Sequence, residues 1–442
     1  MAVSATATDV GIPCDGPNWP MMGRIRATVT TFIALATGCG FSSSVSLDAG
    51  FDGGSDALLD ATDPVIDTAL PDGPAAVCTT WHAYHFKPCN DLPAPGTGLT
   101  IDNAATYNTD SATFTAGGPG TNPPTLPLTQ VGGEAALVMS VASLTVTTTG
   151  SLHVVGTRPL VIATWDTITI AGTIDASSTR VNSVVTAGAG AGSPACSAAT
   201  AGHDEVDNGG GSGGGGGGGF PGAGGMGGPG DSGAQNMGGA GATANPTIPT
   251  IVHGGCSGAA SGKAGPDGNV VDHTAFTAGG FGGGAVQLSA RTSITIAATG
   301  RLVAAGLGGT GTASGEANGG GGGGSGGFLG LDAPTLTITA GAIVAANGGG
   351  GGGSNGFAAA GAPGESGHTD ALRANGGAAS GCSFAGGFGG ALAPIGGDPA
   401  VQTTANCGGG GGGGGAGYIV IVGTATTYPA TLSPAASFLA PP

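Results

Sequence analysis

Cys78, His82, His85 and Cys89 fall within CTTWHAYHFKPC, and two thiols with two imidazoles are ligand types that zinc takes tetrahedrally. The same two cysteines, eleven positions apart, suit a disulfide in an oxidising compartment, and that is the preferred reading. Trp81, Tyr84 and Phe86 would then pack as a cap over the start of the fold. The densest other polar cluster is His203-Asp204-Glu205 with Asp207, and His253 lies near Cys256 in the same glycine-rich stretch. No second cluster partners it at a defined spacing, so a solvated loop is expected there rather than an acid/base or metal site. No catalytic residue, metal or cofactor is assigned. Sequences such as GAGAGS (Gly188 to Ser193) lack the Lys-Ser/Thr ending of a phosphate loop, and the glycine repeats lack the regularly placed Asp of calcium-binding nonapeptides.

The elements that must position these residues are sparse. Of 442 residues 99 are glycine and only 8% are charged, so short apolar blocks must supply most of the core. A net charge of -17 with nine Lys and Arg argues against a nucleic-acid partner. Residues 1–20 have no periodic or targeting character and read as an extension upstream of the true start at Met21 or Met22. Arg24 and Arg26 then form a basic n-region, Ala27 to Ala36 an uncharged h-region too short to span a bilayer, and Ala36-Thr37-Gly38 a small-residue cleavage site ahead of Cys39. This 21–38 segment resembles a lipoprotein signal peptide with its lipobox, although Ala36 stands where the family prefers Leu. The resemblance implies a lipidated Cys39 at the mature N-terminus; a plain secretory signal and a short buried apolar run are the alternatives.

Residues 39–77 carry seven Asp residues from Asp48 to Asp72 and no Lys or Arg after the anchor, which reads as a disordered acidic tether. Lipobox, Asp- and Ala-rich tether, C...W...F.PC segment and glycine-rich β repeats together resemble uncharacterised glycine-rich lipoproteins of myxobacteria and similar Gram-negative bacteria. That resemblance implies an outer-membrane address, on the periplasmic or cell-surface face, and an architecture. It implies no chemistry.

Three blocks share a strand-like alternation. Ile168/Ile170, Ile294/Ile296 and Leu336/Ile338 are equivalent apolar pairs, followed by Gly172, Gly300 and Gly341, and Leu144/Val146 with Gly150 adds a fourth. Leu144 to Ile168 spans 24 residues, the length of a bare coil of three short strands. The expected fold class is all-β: a parallel β-helix or solenoid over 135–423 with long glycine-rich insertions, a Cys-linked N-terminal cap over 78–134 and a tail over 424–442. The insertions follow the third strand of each coil, at one edge of the stack. The tracts Gly209 to Gly219, Gly319 to Gly327, Gly348 to Gly353 and Gly408 to Gly417 are expected to pack as a layer of extended polyglycine helices beside the strands, with Phe220, Phe281, Phe328 and Phe388 covering its ends. Asp166, Arg291 and Asp332 are expected to stack as a charge ladder.

The insertion boundaries single out disulfides Cys78 to Cys89, Cys196 to Cys256 and Cys382 to Cys407 among the fifteen pairings that six thiols allow. Two functions fit. One is a non-catalytic envelope lipoprotein with a structural or adhesive surface, meeting the membrane through its lipid and envelope polysaccharide or other surface components through its face. The other is a carbohydrate-active enzyme on a parallel β-helix, which would need carboxylates grouped over a groove.

Overall fold

The computed structural model describes residues 81, 83–205, 210–230, 236–264, 276–315, 317–355, 359–381, 385–401, 407–423, 428 and 430–441, all within the unit Leu70–Pro442. Cys39, Cys78, His82, Asp207 and Cys382 lie outside the described residues. The fold is all-β, with mostly parallel sheets and one four-residue helix, Pro88–Asp91, among the described residues.

Three large sheets form among the described residues, beside a small antiparallel pair, Thr179–Val181 with Val184–Thr186. The first aligns Ala136–Val141, Leu160–Thr164, Ala285–Ala290, Phe328–Asp332 and Tyr418–Val422 in parallel. The second aligns Leu99–Ile101, Leu144–Val146, Thr167–Ile170, Ser293–Ile296 and Thr335–Ile338. The third aligns Ala104–Asn108, Ser151–Val155, Thr173–Asp175, Arg301–Val303, Ile343–Ala345 and Thr431–Ser433. From Ala136 to Tyr418 the chain visits first, second and third sheet, then returns to the first beside the strand it left. Leu144, Ile168, Ile294 and Leu336 therefore stand in register.

Their side chains point inward with Leu137, Met139, Leu152, Ile162, Ile174, Leu288, Leu302, Leu331 and Ile421 into one continuous core. Burying each such side chain stabilises the fold by about 1.5–3 kcal/mol. The tight corner after the second strand explains its glycine: a Cβ on Gly172 would stand 2.1 Å from the Gly150 oxygen of the adjacent pass.

Regular structure also reaches beyond the residues whose pattern announced it. Leu99–Ile101 and Ala104–Asn108 pair within the second and third sheets, inside the 78–134 stretch expected as a cap. Thr431–Ser433 and Ser437–Leu439 likewise pair with the third and first sheets, where only a tail was expected. These strands are three to five residues long, too short for alternation to stand out among Thr, Pro and Gly.

The charge ladder does not form. Thr292 N–H donates to the Asp166 carbonyl, so Asp166 aligns with Thr292, and Asp332 pairs in register with Ser289. Arg291 instead donates from Nε to the Trp165 carbonyl at 2.7 Å. The corners holding Asp166 and Arg291 are equal in length, and the two charges stand two and three residues before Ile168 and Ile294, so they fall one position apart; the corner after Asp332 is one residue shorter and Asp332 belongs to the strand before it.

The first sheet is buried on both faces. Its outer face carries Val138, Val161, Ala163, Phe328 and Val420, covered by Trp81 and Phe86 from the N-terminal segment. This segment lies along a sheet face rather than over the end of the stack. Trp81 meets Phe86 and Trp165 edge to face at 5.9 and 5.7 Å, contacts worth about 0.5–1.5 kcal/mol each beyond area burial.

Beneath it Asp332 accepts hydrogen bonds from the Tyr84 N–H at 3.0 Å and the Ser289 hydroxyl at 3.1 Å. Burial nonetheless pushes its carboxyl up from 3.8 to about 6. Because the folded value is the higher one, this group's favourable contribution is complete below the unfolded value of 3.8 and is lost as pH rises through about 6. Asp332→Asn keeps an acceptor for both donors without the buried charge. It is expected to raise stability near neutral pH by roughly 1–3 kcal/mol and to flatten the fall in stability across that window. Urea midpoints measured on either side of it check this; a variant no more stable than the parent at neutral pH contradicts it.

Candidate binding surface

The long insertions leave third-sheet strands and return to first-sheet strands, occupying 176–284, 304–327 and 346–417. Their glycine tracts follow a three-residue hydrogen-bond period. Ser212, Gly213 and Gly214 donate to Ala317, His203 and Gly228, and Gly215, Gly216 and Gly217 then donate to Gly320, Thr200 and Gly225 of the same three segments. The carbonyls of 212–217 accept from Gly409, Gly262, Gly239, Gly412, Ala259 and Ala242, which belong to three other segments. One tract is thus enclosed by six neighbours, with its backbone groups paired from Ser212 through Gly218.

Gly320 to Gly326, Gly349 to Gly353 and Gly411 to Gly415 are enclosed in the same way. Such enclosure makes a bundle several segments deep, whereas a single layer was expected. Glycine is required by approach distance. A Cβ on Gly215 would lie 2.1 Å from the Ala259 oxygen, and one on Gly322 would lie 2.0 Å from the Gly216 oxygen.

Peripheral segments turn side chains outward at the same period. Ala223 and Met226, Met237 and Ala240, Ala278 and Phe281, and Ile395, Asp398 and Val401 are exposed or border solvent. Phe281 and Phe388 are two of these outward residues. Phe220 and Phe328 are buried against the outer face of the first sheet. The four phenylalanines therefore do not act together as end covers.

On the second sheet, Thr100, Thr145, Thr169, Thr295 and Thr337 stand in one outward row, each in register with the next. Thr167, Ser293 and Thr335 form a second row two residues away. Parallel strands repeat at about 4.8 Å and alternate residues at about 6.6 Å, so these methyls and hydroxyls make a flat, uncharged array.

Cys196 and Cys256 form a disulfide with Cα atoms 5.4 Å apart. Cys89 and Cys407 are also disulfide-bonded. Zinc finds no site at His85, whose Nδ1 faces Gln287 Oε1 at 2.5 Å and whose Nε2 faces the Pro249 carbonyl at 3.3 Å. Burial lowers its pKa, the expected direction for an imidazole packed edge-on against Phe328. With Cys89 in a disulfide and both His85 nitrogens engaged, neither serves the Cys2His2 alternative. Among the described residues no group of three or more His, Cys, Asp or Glu is placed to hold a metal ion.

Of the His203 cluster, the described members each have a place in the bundle, and Asp207 lies outside the described residues. His203 N–H and carbonyl serve the bundle, Asp204 Oδ1 accepts from the Lys263 N–H at 2.7 Å, and Glu205 is buried. His253 is buried against Phe220 and bonded to its neighbour's carbonyl; burial lowers its pKa.

The structure instead brings together residues that no short motif links. His368, Leu372, Arg373, Asn375, Phe388 and Asp398 line an open cleft of about 460 Å³ at the edge of the bundle. Arg373 Nε donates to the Gly389 carbonyl at 2.8 Å and Nη1 to Asp398 Oδ2 at 2.8 Å, with its guanidinium carbon 5.5 Å over the Phe388 ring. Glu365 Oε2 accepts from the Asn375 N–H and Nδ2 at 2.9 and 2.8 Å and lies 3.0 Å from His368 Nε2. The Asn375 N–H and then His368 hold the Glu365 carboxyl below its usual range.

No family model, curated protein or solved structure matches this chain. The surfaces above therefore carry the functional argument alone.

Proposed function

We propose that this protein is a lipid-anchored envelope protein with a non-catalytic structural or adhesive surface role. Its architecture is read as a three-sided parallel β-helix whose insertions pack as polyproline-II-type glycine helices along one corner. The observation that carries the role is the pairing of a rigid, backbone-bonded glycine bundle with flat faces of Thr and small outward residues. Such faces suit contact with an extended uncharged surface better than bond-breaking chemistry.

The carboxylates support the same reading. A glycosidase general acid needs a raised pKa over an open groove. Asp332 is raised but lies buried beneath Tyr84, while Glu365 borders a cleft and is lowered. Neither has both properties.

The anchor rests on the sequence from Arg24 to Cys39, outside the described residues; among those described, no helix is long and apolar enough to cross a membrane. Cys39→Ser is expected to shift the protein from the membrane fraction to a soluble pool or an unprocessed precursor. Immunoblots of membrane and soluble fractions check this, and unchanged membrane fractionation contradicts the anchor.

A further inference from the structure

The cleft at the bundle edge has the make-up of a saccharide subsite. Its apolar wall is Leu372 and Phe388, the latter 44% exposed even with Arg373 over its ring. Sugar rings offer weakly polar C–H faces to such walls and hydroxyls to planar polar groups at their edges. Planar groups surround this wall: the Arg373 guanidinium, the Asn375 amide, the His368 ring and the Asp398 carboxylate.

Internal bonds hold these groups in place and leave acceptors over. Arg373 is fixed by Gly389, Asp398 and the Phe388 carbonyl, and Asn375 by Glu365. Among the described residues no hydrogen bond reaches Asn375 Oδ1 or Asp398 Oδ1, so two acceptors of cleft-lining residues stay open to ligand hydroxyls. Fixed side chains lose little entropy when a ligand arrives.

Charge narrows the ligand class. Asp398 neutralises Arg373, and Glu365 and Asp370 flank His368 at 3.0 and 3.7 Å, so an anionic polymer finds no free cation here. Metal-bridged binding lacks ligands, since no metal-holding group exists among the described residues. We propose that this cleft binds one or two rings of an uncharged or N-acetylated oligosaccharide, a ligand class that deepens the adhesive reading and rests on it. Phe388 and Leu372 form the stacking platform, Asn375 Oδ1 and Asp398 Oδ1 accept hydrogen bonds from the sugar hydroxyls, Glu365 holds Asn375 in place, and Arg373 is a positioning residue.

The test is titration of the purified disulfide-intact protein with cellohexaose, laminarihexaose and N-acetylchitohexaose by calorimetry and by NMR saturation transfer. Saturable binding of at least one probe is expected, with little change when salt is raised. Phe388→Ala is expected to weaken it at least tenfold, and Leu372→Ser several-fold, with unaltered melting midpoints because both side chains face solvent. Met226→Ala, an outward residue on another segment, should leave affinity unchanged. Absence of binding by all three probes at about 10 mM, below the weakest useful affinity, overturns the inference. So does binding that ignores Phe388→Ala, or that collapses with salt as an ionic contact would. If no probe binds while Cys39→Ser still releases the protein, the saccharide site alone falls; if a probe binds but that variant stays with the membrane, the anchored-envelope reading alone falls.

Discussion

Gly322→Ala is expected to destabilise the protein by at least about 3 kcal/mol, the scale of severe overpacking. A Cβ there would stand 2.0 Å from the Gly216 oxygen, 2.5 Å from its carbonyl carbon and 3.0 Å from the Gly217 nitrogen. All three are backbone atoms of a tract that is itself enclosed, so no side chain can swing aside. The strain must move a whole segment and break its periodic bonds, among them Gly322 N–H to Ala259 and Gly280 N–H to Gly322.

Gly396→Ala is the matched control. Its Cβ would meet nothing closer than the Ala223 oxygen at 3.5 Å, and the change is expected to stay within about 0.5 kcal/mol. Chemical denaturation of both variants checks the pair. Equal midpoints would mean that the tracts are not packed against one another.

Removing the Cys196–Cys256 bridge is the other large effect. It closes a loop of sequence separation 60, which the chain-entropy relation values at about 4 kcal/mol. The enclosed chain includes Gly210 to Gly219 and its neighbours 222–230 and 236–243, which offer backbone bonds but little apolar area. A Cys196→Ala/Cys256→Ala variant should therefore lose the bundle before the sheets. Limited proteolysis should cut first between residues 197 and 255 while the strand blocks persist. A variant with the parent's melting midpoint and cleavage pattern contradicts the assignment of stability to this bridge.

Sequence alone exposed the stacked strands because their pattern is local. Ile168, Ile294 and Leu336 each sit in an alternating block with glycine at the corner, and the structure pairs them in that register. The edge from which the insertions depart was equally legible, since chain length grows only after the third strand.

What escaped was set by contacts between distant segments. The depth of the glycine bundle depends on which tract meets which, and identical glycines carry no record of their neighbours. Asp332 was placed in a ladder with Asp166 and Arg291 because its position was counted from the following strand; its partner is Ser289, and Tyr84 comes from 248 residues away. The cleft escaped for the same reason. Glu365, Arg373, Phe388 and Asp398 are scattered over a glycine-rich stretch, and only the hydrogen bonds of adjacent segments bring them together.

Hydrogen exchange resolved by mass spectrometry tests the central claim, that the glycine tracts are ordered parts of the fold. Amides from Ser212 to Gly218 and from Gly320 to Gly326 each have a backbone acceptor on a neighbouring segment. They are predicted to be protected to a degree comparable with the strand Thr167–Ile170, whose amides lie within the second sheet. Exchange of those glycine amides at the rate of an unstructured peptide, with the strand still protected, would contradict the account.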